Sequence, residues 1–228
     1  MIEMKDVHKT YANGVVAANG LNIKIDQGEF VYVVGPSGAG KSTFVRLIYR
    51  EEVPNSGDII IQDLEISKLK QKEIPYFRRQ IGVVFQDFKL LPRLTVFENV
   101  AFALEVIEMS KDKIRDRVME VLELVGLKHK ARSFPNELSG GEQQRVSIAR
   151  AIANKPKIII ADEPTGNLDP DTSWSIMRIL EEINMHGTTV IMATHSKEIV
   201  NSVKKRVIAI ENGMVVRDEE QGAYGYEI

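Results

Sequence analysis

The chain has no cysteine among its 228 residues. That excludes a disulfide framework, a zinc–thiolate site and thiol chemistry. No stretch approaches the roughly 18 uninterrupted apolar residues that a membrane-crossing helix needs, so none is expected to span a bilayer. Residues 1–20 hold no apolar core flanked by basic residues, so no signal peptide is expected. An excess of positive charge is missing too. Thirty Lys and Arg stand against 32 Asp and Glu, for a net charge of −2. This argues against a surface that neutralises many nucleic-acid phosphates, and no nucleic-acid partner is expected. Internal repeats and low-complexity segments are also lacking. The remaining composition, 43% hydrophobic and 27% charged, is ordinary for a globular chain. The length suits one large domain, or one domain with an inserted lobe, expected to be intracellular and soluble by itself.

What is present centres on Gly35-Pro36-Ser37-Gly38-Ala39-Gly40-Lys41-Ser42-Thr43, which fits G-x-x-x-x-G-K-[ST], the phosphate-binding loop. Its glycines let successive backbone N–H groups turn inward around phosphates, and Lys41 supplies a point charge at the β- and γ-phosphates. The Ser42 hydroxyl is placed for Mg²⁺, and the helix expected over 44–48 aims its positive dipole end at the same anion. The apolar run 30–34 before the loop reads as a buried strand.

Elsewhere, period-two alternation over 2–7 and 21–25, with a strand-like run at 58–61, predicts a small antiparallel sheet beside this core. Asn13-Gly14 and Asp26-Gln27-Gly28 supply turns. Buried-strand runs recur at 81–85, 158–161 and 188–194. A helical tract is expected over 95–126, with Ile114, Val118, Val121, Leu122 and Val125 as its packed stripe and Gly126 as its cap. A further helix is expected over 172–184. Four of the apolar strands stop at a group suited to phosphate chemistry: the loop at Gly35, then Gln86, Asp162-Glu163 and His195. Ligands of parallel α/β sheets sit outside the carboxyl ends of the strands, so parallel neighbours would bring the four groups to one nucleotide.

Each group has chemistry to offer. Asp162 suits Mg²⁺ through a coordinated water, and Glu163 suits a general base on the attacking water. The Gln86 amide oxygen can ligate the metal or that water, and His195 can hydrogen-bond the γ-phosphate. Leu138-Ser139-Gly140-Gly141-Glu142-Gln143-Gln144-Arg145 reads as a capping box, with Ser139 at the N-cap and Glu142 three residues on. Two glycines in a first turn weaken a helix, which makes sense if a ligand must approach the backbone closely. That predicts a second anion-binding helix start.

Taken together and in this order, the phosphate loop, Gln86, L-S-G-G-E-Q-Q-R, the 158–163 run, Asn167-Leu168-Asp169 and His195 resemble an ATP-binding cassette (ABC) ATPase subunit over about residues 2–217. The resemblance implies an α/β P-loop NTPase with a mainly parallel core sheet, a small antiparallel β subdomain and an inserted helical subdomain. The expected parts are a core at 1–86 and 154–217, a helical subdomain at 87–153 and a tail at 218–228. It further implies Mg²⁺-dependent ATP hydrolysis by a head-to-tail homodimer. Ser139 and Gly141 of one copy would face the γ-phosphate held by Lys41 of the other, with Gly140, Glu142 and Asp169 at the same boundary. Tyr11 matches the aromatic that stacks on adenine. The wording Gly166-Asn167-Leu168-Asp169 departs from the common S-A-L-D.

A finer resemblance, carried by 33–43, 86–92, 161–169 and 193–195, is to the branch of the family that serves bacterial cell division. It implies a chain held at the inner face of the cell membrane by an integral membrane partner, and acting through it on a peptidoglycan hydrolase. Phe88, Leu90 and Leu91 are candidate contacts for that partner. Lipoprotein release, macrolide export and small-solute import remain open as alternatives within the family. A nucleic-acid-associated ABC protein and a P-loop kinase are the alternatives outside transport.

Overall fold

The computed structural model describes residues 1–225; residues 226–228, the end of the expected tail, lie outside the described residues. The alternation at the start of the chain builds a half-buried sheet. Strand β1 (Ile2–Thr10) buries Ile2, Met4 and Val7 and pairs antiparallel with β2 (Val16–Ile25), which buries Leu21, Ile23 and Ile25. The uninterrupted run of β3 (Phe30–Val34) is buried at every position, as a strand covered on both faces must be. The glycine-rich loop leads from it into α1 (Lys41–Ile48), which buries Phe44, Val45, Leu47 and Ile48. Strand β4 (Ser56–Ile61) returns to pair antiparallel with β1, β5 (Leu64–Glu65) adds an edge, and the short α2 (Ile74–Arg78) follows.

Residues 79–188 form a unit of their own. It contains β6 (Ile81–Val84), α3 (Val96–Glu105), α4 (Lys111–Leu124), α5 (Gly140–Ile152), β7 (Ile158–Asp162) and α6 (Pro170–Met185). Strands β6 and β7 are parallel, with Ile81 opposite Ile158 and Val84 opposite Ala161. The expected helical tract over 95–126 consists of two helices. Glu108 adopts a left-handed conformation (φ 59°) between them and Ser110 begins the second. The left-handed residue breaks the helix, and Ser110, an N-cap type, restarts it. The packed stripe from Ile114 to Val125 is buried, and Gly126 (φ 72°) ends α4 as the Leu127 N–H bonds back to Leu122 O.

Residues 1–78 and 189–225 belong to the other unit. In its second part, β8 (Thr189–Ala193) and β9 (Arg206–Glu211) both pair parallel with β3. Helix α7 (Lys197–Ser202) lies between them in sequence, and β10 (Met214–Glu219) folds back antiparallel on β9. The Asn212-Gly213 turn after the apolar run 207–210 marks this hairpin in the sequence. Arg206 forks onto Asp218 and also reaches Glu29, while Arg217 donates to the carbonyls of Ala223, Tyr224 and Gly225.

Candidate functional site

The loop after β3 depends on glycine for its path. A Cβ on Gly35 would lie 2.1 Å from the Ile210 carbonyl oxygen, so only glycine lets the chain leave β3 alongside β9. Gly40 is the N-cap of α1 in a left-handed conformation, with no side-chain cap and no acidic residue in the first turn. The positive end of α1 is therefore not answered by a side chain of its own helix start. Gly38 (φ 78°) faces open space. Lys41 Nζ donates to the carbonyls of Gly35 at 2.8 Å and Pro36 at 3.1 Å, which folds the ammonium onto its own loop. Pro36, Ser37 and Ser42 are exposed, while Ala39 and Thr43 are buried. Tyr11 is tied to the same loop, its hydroxyl 3.1 Å from Thr43 Oγ1, and Lys9 Nζ stands 5.2 Å from its ring centroid. His195 is exposed just beyond β8. Because Val33 pairs with Ala193 in parallel register, His195 and the phosphate loop leave the same end of neighbouring strands.

In the other unit, Asp162 is the last residue of β7 and Glu163 follows it in a left-handed conformation (φ 51°). The parallel register of β6 and β7 places Gln86 and this acidic pair at the same end of adjacent strands. Gln86 Nε2 donates to Asn167 Oδ1 at 3.4 Å, and a Cβ on Gly166 would come within 3.0 Å of that nitrogen. The Gly-Asn wording therefore has a local purpose. Alanine at 167 has no amide to accept the bond, and serine at 166 would crowd the glutamine.

The start of α5 is a closed capping box. Ser139 Oγ accepts the Glu142 N–H at 3.3 Å, and Glu142 Oε2 accepts the Ser139 N–H at 2.8 Å. That backbone bond holds the Glu142 carboxyl below the usual carboxylate range. The two glycines have different neighbours. Gly141 is buried, and a Cβ there would lie 2.2 Å from Thr172 Cγ2. Its smallness serves the packing of α6 on α5, a reason that stands beside the close approach of a ligand. Gly140 meets only ordinary contacts, with Leu168 at 3.5 Å and the Phe88 ring at 3.8 Å from its would-be Cβ. Asp169 is the N-cap of α6 and accepts the Thr172 N–H at 2.9 Å. Bonds from Thr172, its hydroxyl foremost, hold the carboxyl below its ordinary range.

Two residues of α5 carry contacts that residue types alone did not announce. Fully buried Gln144 donates to the Pro164 carbonyl at 2.7 Å, just past the acidic pair, and Arg150 donates to the carbonyls of Phe88 and Lys89. Of the apolar trio after Gln86, Phe88 and Leu90 are half-buried and Leu91 is exposed.

An ammonium lying on the loop and a helix start without a side-chain cap suit the phosphates of a nucleoside triphosphate. The hydroxyl, amide and carboxylate oxygens of Ser42, Gln86 and Asp162 are hard ligands of the kind Mg²⁺ takes. Residues 18–166 match the model of the ABC transporter family. The chain belongs to that family, with its P-loop α/β fold, and is an ATPase of the ABC type. It is 69% identical over 225 residues to the cell division ATP-binding protein FtsE of Bacillus subtilis, covering 99% of each chain. It is 61% identical to FtsE of Streptococcus pneumoniae, over 100% of this chain and 99% of that one. Among solved structures it resembles the ATP-binding cassette MJ0796 in a dimeric post-hydrolysis state bound to ADP and Pi. The TM-score is 0.88 at 40% identity, over 98% of this chain and 100% of the other.

Proposed function

We propose that the chain hydrolyses Mg·ATP in a head-to-tail homodimer and thereby drives a membrane partner of FtsX type, which controls a peptidoglycan hydrolase in bacterial cell division. The phosphate loop carries the ATP part of this reading, since Lys41 and an uncapped α1 meet a triphosphate with no counter-charge in the helix's first turn. Full-length likeness to FtsE proteins supports the cell-division part, and the dimeric MJ0796 cassette supports the pairing of two copies.

In this reading Tyr11 stacks on adenine, and the N–H groups of 35–43 with the Lys41 ammonium take the phosphates. Ser42, Gln86 and Asp162 (the last through a water) would hold Mg²⁺, which when bound neutralises charge on the β- and γ-oxygens. Glu163 takes the proton of the attacking water, and His195 holds the γ-phosphate so that the water stays in line. Lys41 spreads the charge of a loose phosphoryl-transfer transition state. Ser139, Gly140 and Gly141 of the second copy complete the grip on the γ-phosphate, flanked by Glu142 and Asp169. ATP closes the dimer, and hydrolysis removes the bridge that held it. The segment 86–94 faces the membrane partner, with Leu91 as its exposed apolar contact and Phe88 and Leu90 as its packed support.

Purification of the tagged chain from membranes tests this. An FtsX-type protein of four spans should co-purify, and Leu91→Glu should abolish its recovery while sparing the ATPase activity of the soluble chain. Recovery of a many-span permease with a solute-binding protein would favour import instead.

A further inference from the structure

Phe88 and Lys89 are consecutive non-glycine residues with positive φ, 59° and 48°. Such a pair is strained and persists only where its surroundings over-determine it. Within the segment, the Phe88 N–H bonds to Phe85 O, the Lys89 N–H to Asp87 O, and Lys89 pairs with Asp87; from outside it, one side chain reaches the turn. The Arg150 guanidinium donates to Lys89 O at 2.6 Å through one terminal nitrogen and to Phe88 O at 2.8 Å through the other. Its charge goes to backbone carbonyls, and among the described residues no carboxylate pairs with it. The rest of the segment is pinned to α3. Buried Asn99 accepts the Leu91 N–H and donates to the carbonyls of Leu91, Leu94 and Thr95. The tip of the Phe88 ring stands 3.8 Å from where a Cβ on Gly140, the first residue of α5, would lie. Beyond Asp87, the segment is therefore fastened to helices, and Arg150 fastens its strained turn to the helix whose first residues are Gly140 and Gly141.

We propose that Arg150 is a positioning residue that makes the turn at 88–89 part of α5, so that displacement of α5 on ATP binding is delivered to the partner-facing segment through its two hydrogen bonds. This rests on the reading of 86–94 as the segment that faces the membrane partner.

Hydrogen exchange by mass spectrometry on the full chain, carrying Glu163→Gln to arrest turnover, tests it with and without Mg·ATP. With Arg150 present, peptides covering 87–92 and 139–143 should both slow on ATP by about tenfold. Adding Arg150→Gln should leave the response of 139–143 and the affinity for ATP intact and cut the response of 87–92 to below about twofold. A merely structural role would change exchange of 87–92 without ATP but not its response to ATP. An unchanged response in Arg150→Gln overturns the proposal. Should that variant fail to fold, Arg150→Lys keeps the charge without the fork and should show a response of about threefold, a full response again overturning it. A parent protein in which 139–143 responds and 87–92 does not overturns it as well. Failure to recover an FtsX-type partner from membranes refutes the functional reading alone, since the exchange measurement needs no partner.

Discussion

In the proposed reaction, Glu163 carries the proton transfer. Its left-handed backbone costs on the order of 1–3 kcal/mol for a residue with a Cβ, and such strain collects at sites where one orientation is worth holding. Coming immediately after the last residue of β7, it turns the chain sharply one position beyond Asp162, so the two carboxylates have different backbone settings and can take different tasks. Glu163→Gln should leave binding of labelled ATP intact and lower turnover by about 10²-fold or more, because an amide cannot take a proton from water. Near-normal turnover in a coupled phosphate-release assay would remove Glu163 as the base.

Among the elements, α5 links the most features. It begins in a capping box, sends Gln144 to the carbonyl of Pro164 and Arg150 to the turn at 88–89, and receives α6 against Gly141. Propensity alone says that Gly141→Ala should stabilise α5 by about 1 kcal/mol. The 2.2 Å approach to Thr172 Cγ2 reverses the sign, and the variant should instead lose about 1–3 kcal/mol in urea unfolding. Adding Thr172→Ser removes that methyl and keeps the hydroxyl that Asp169 uses, so it should restore most of the loss. Failure of the second substitution to rescue the first would show that the packing of α6 is not the reason for the glycine.

For the molecule as a whole, the proposal requires two copies. If each ATP is completed by Ser139 of a second chain, specific ATPase activity should rise with protein concentration until the dimer saturates. Light scattering run alongside the assay gives the population of monomer. A flat dependence across concentrations at which the protein is monomeric would contradict the shared site.

The sequence by itself determined what depends on neighbours along the chain. The phosphate loop is legible because its glycines, Lys41 and Ser42 act through local spacing. The strands β3, β6, β7 and β8 are legible because strands covered on both faces read as nearly continuous apolar runs. The capping box at Ser139 was legible for the same local reason. Only the tertiary structure showed that Gly141 serves packing as well, since its neighbour Thr172 comes from another helix. It also decided the left-handed turn at Glu108 ahead of the Ser110 cap, and the fork of Arg150 onto a carbonyl 62 residues away. A guanidinium reveals its acceptor only when the backbone has been folded up to it, because carbonyls are present at every residue and the sequence does not say which one is left waiting.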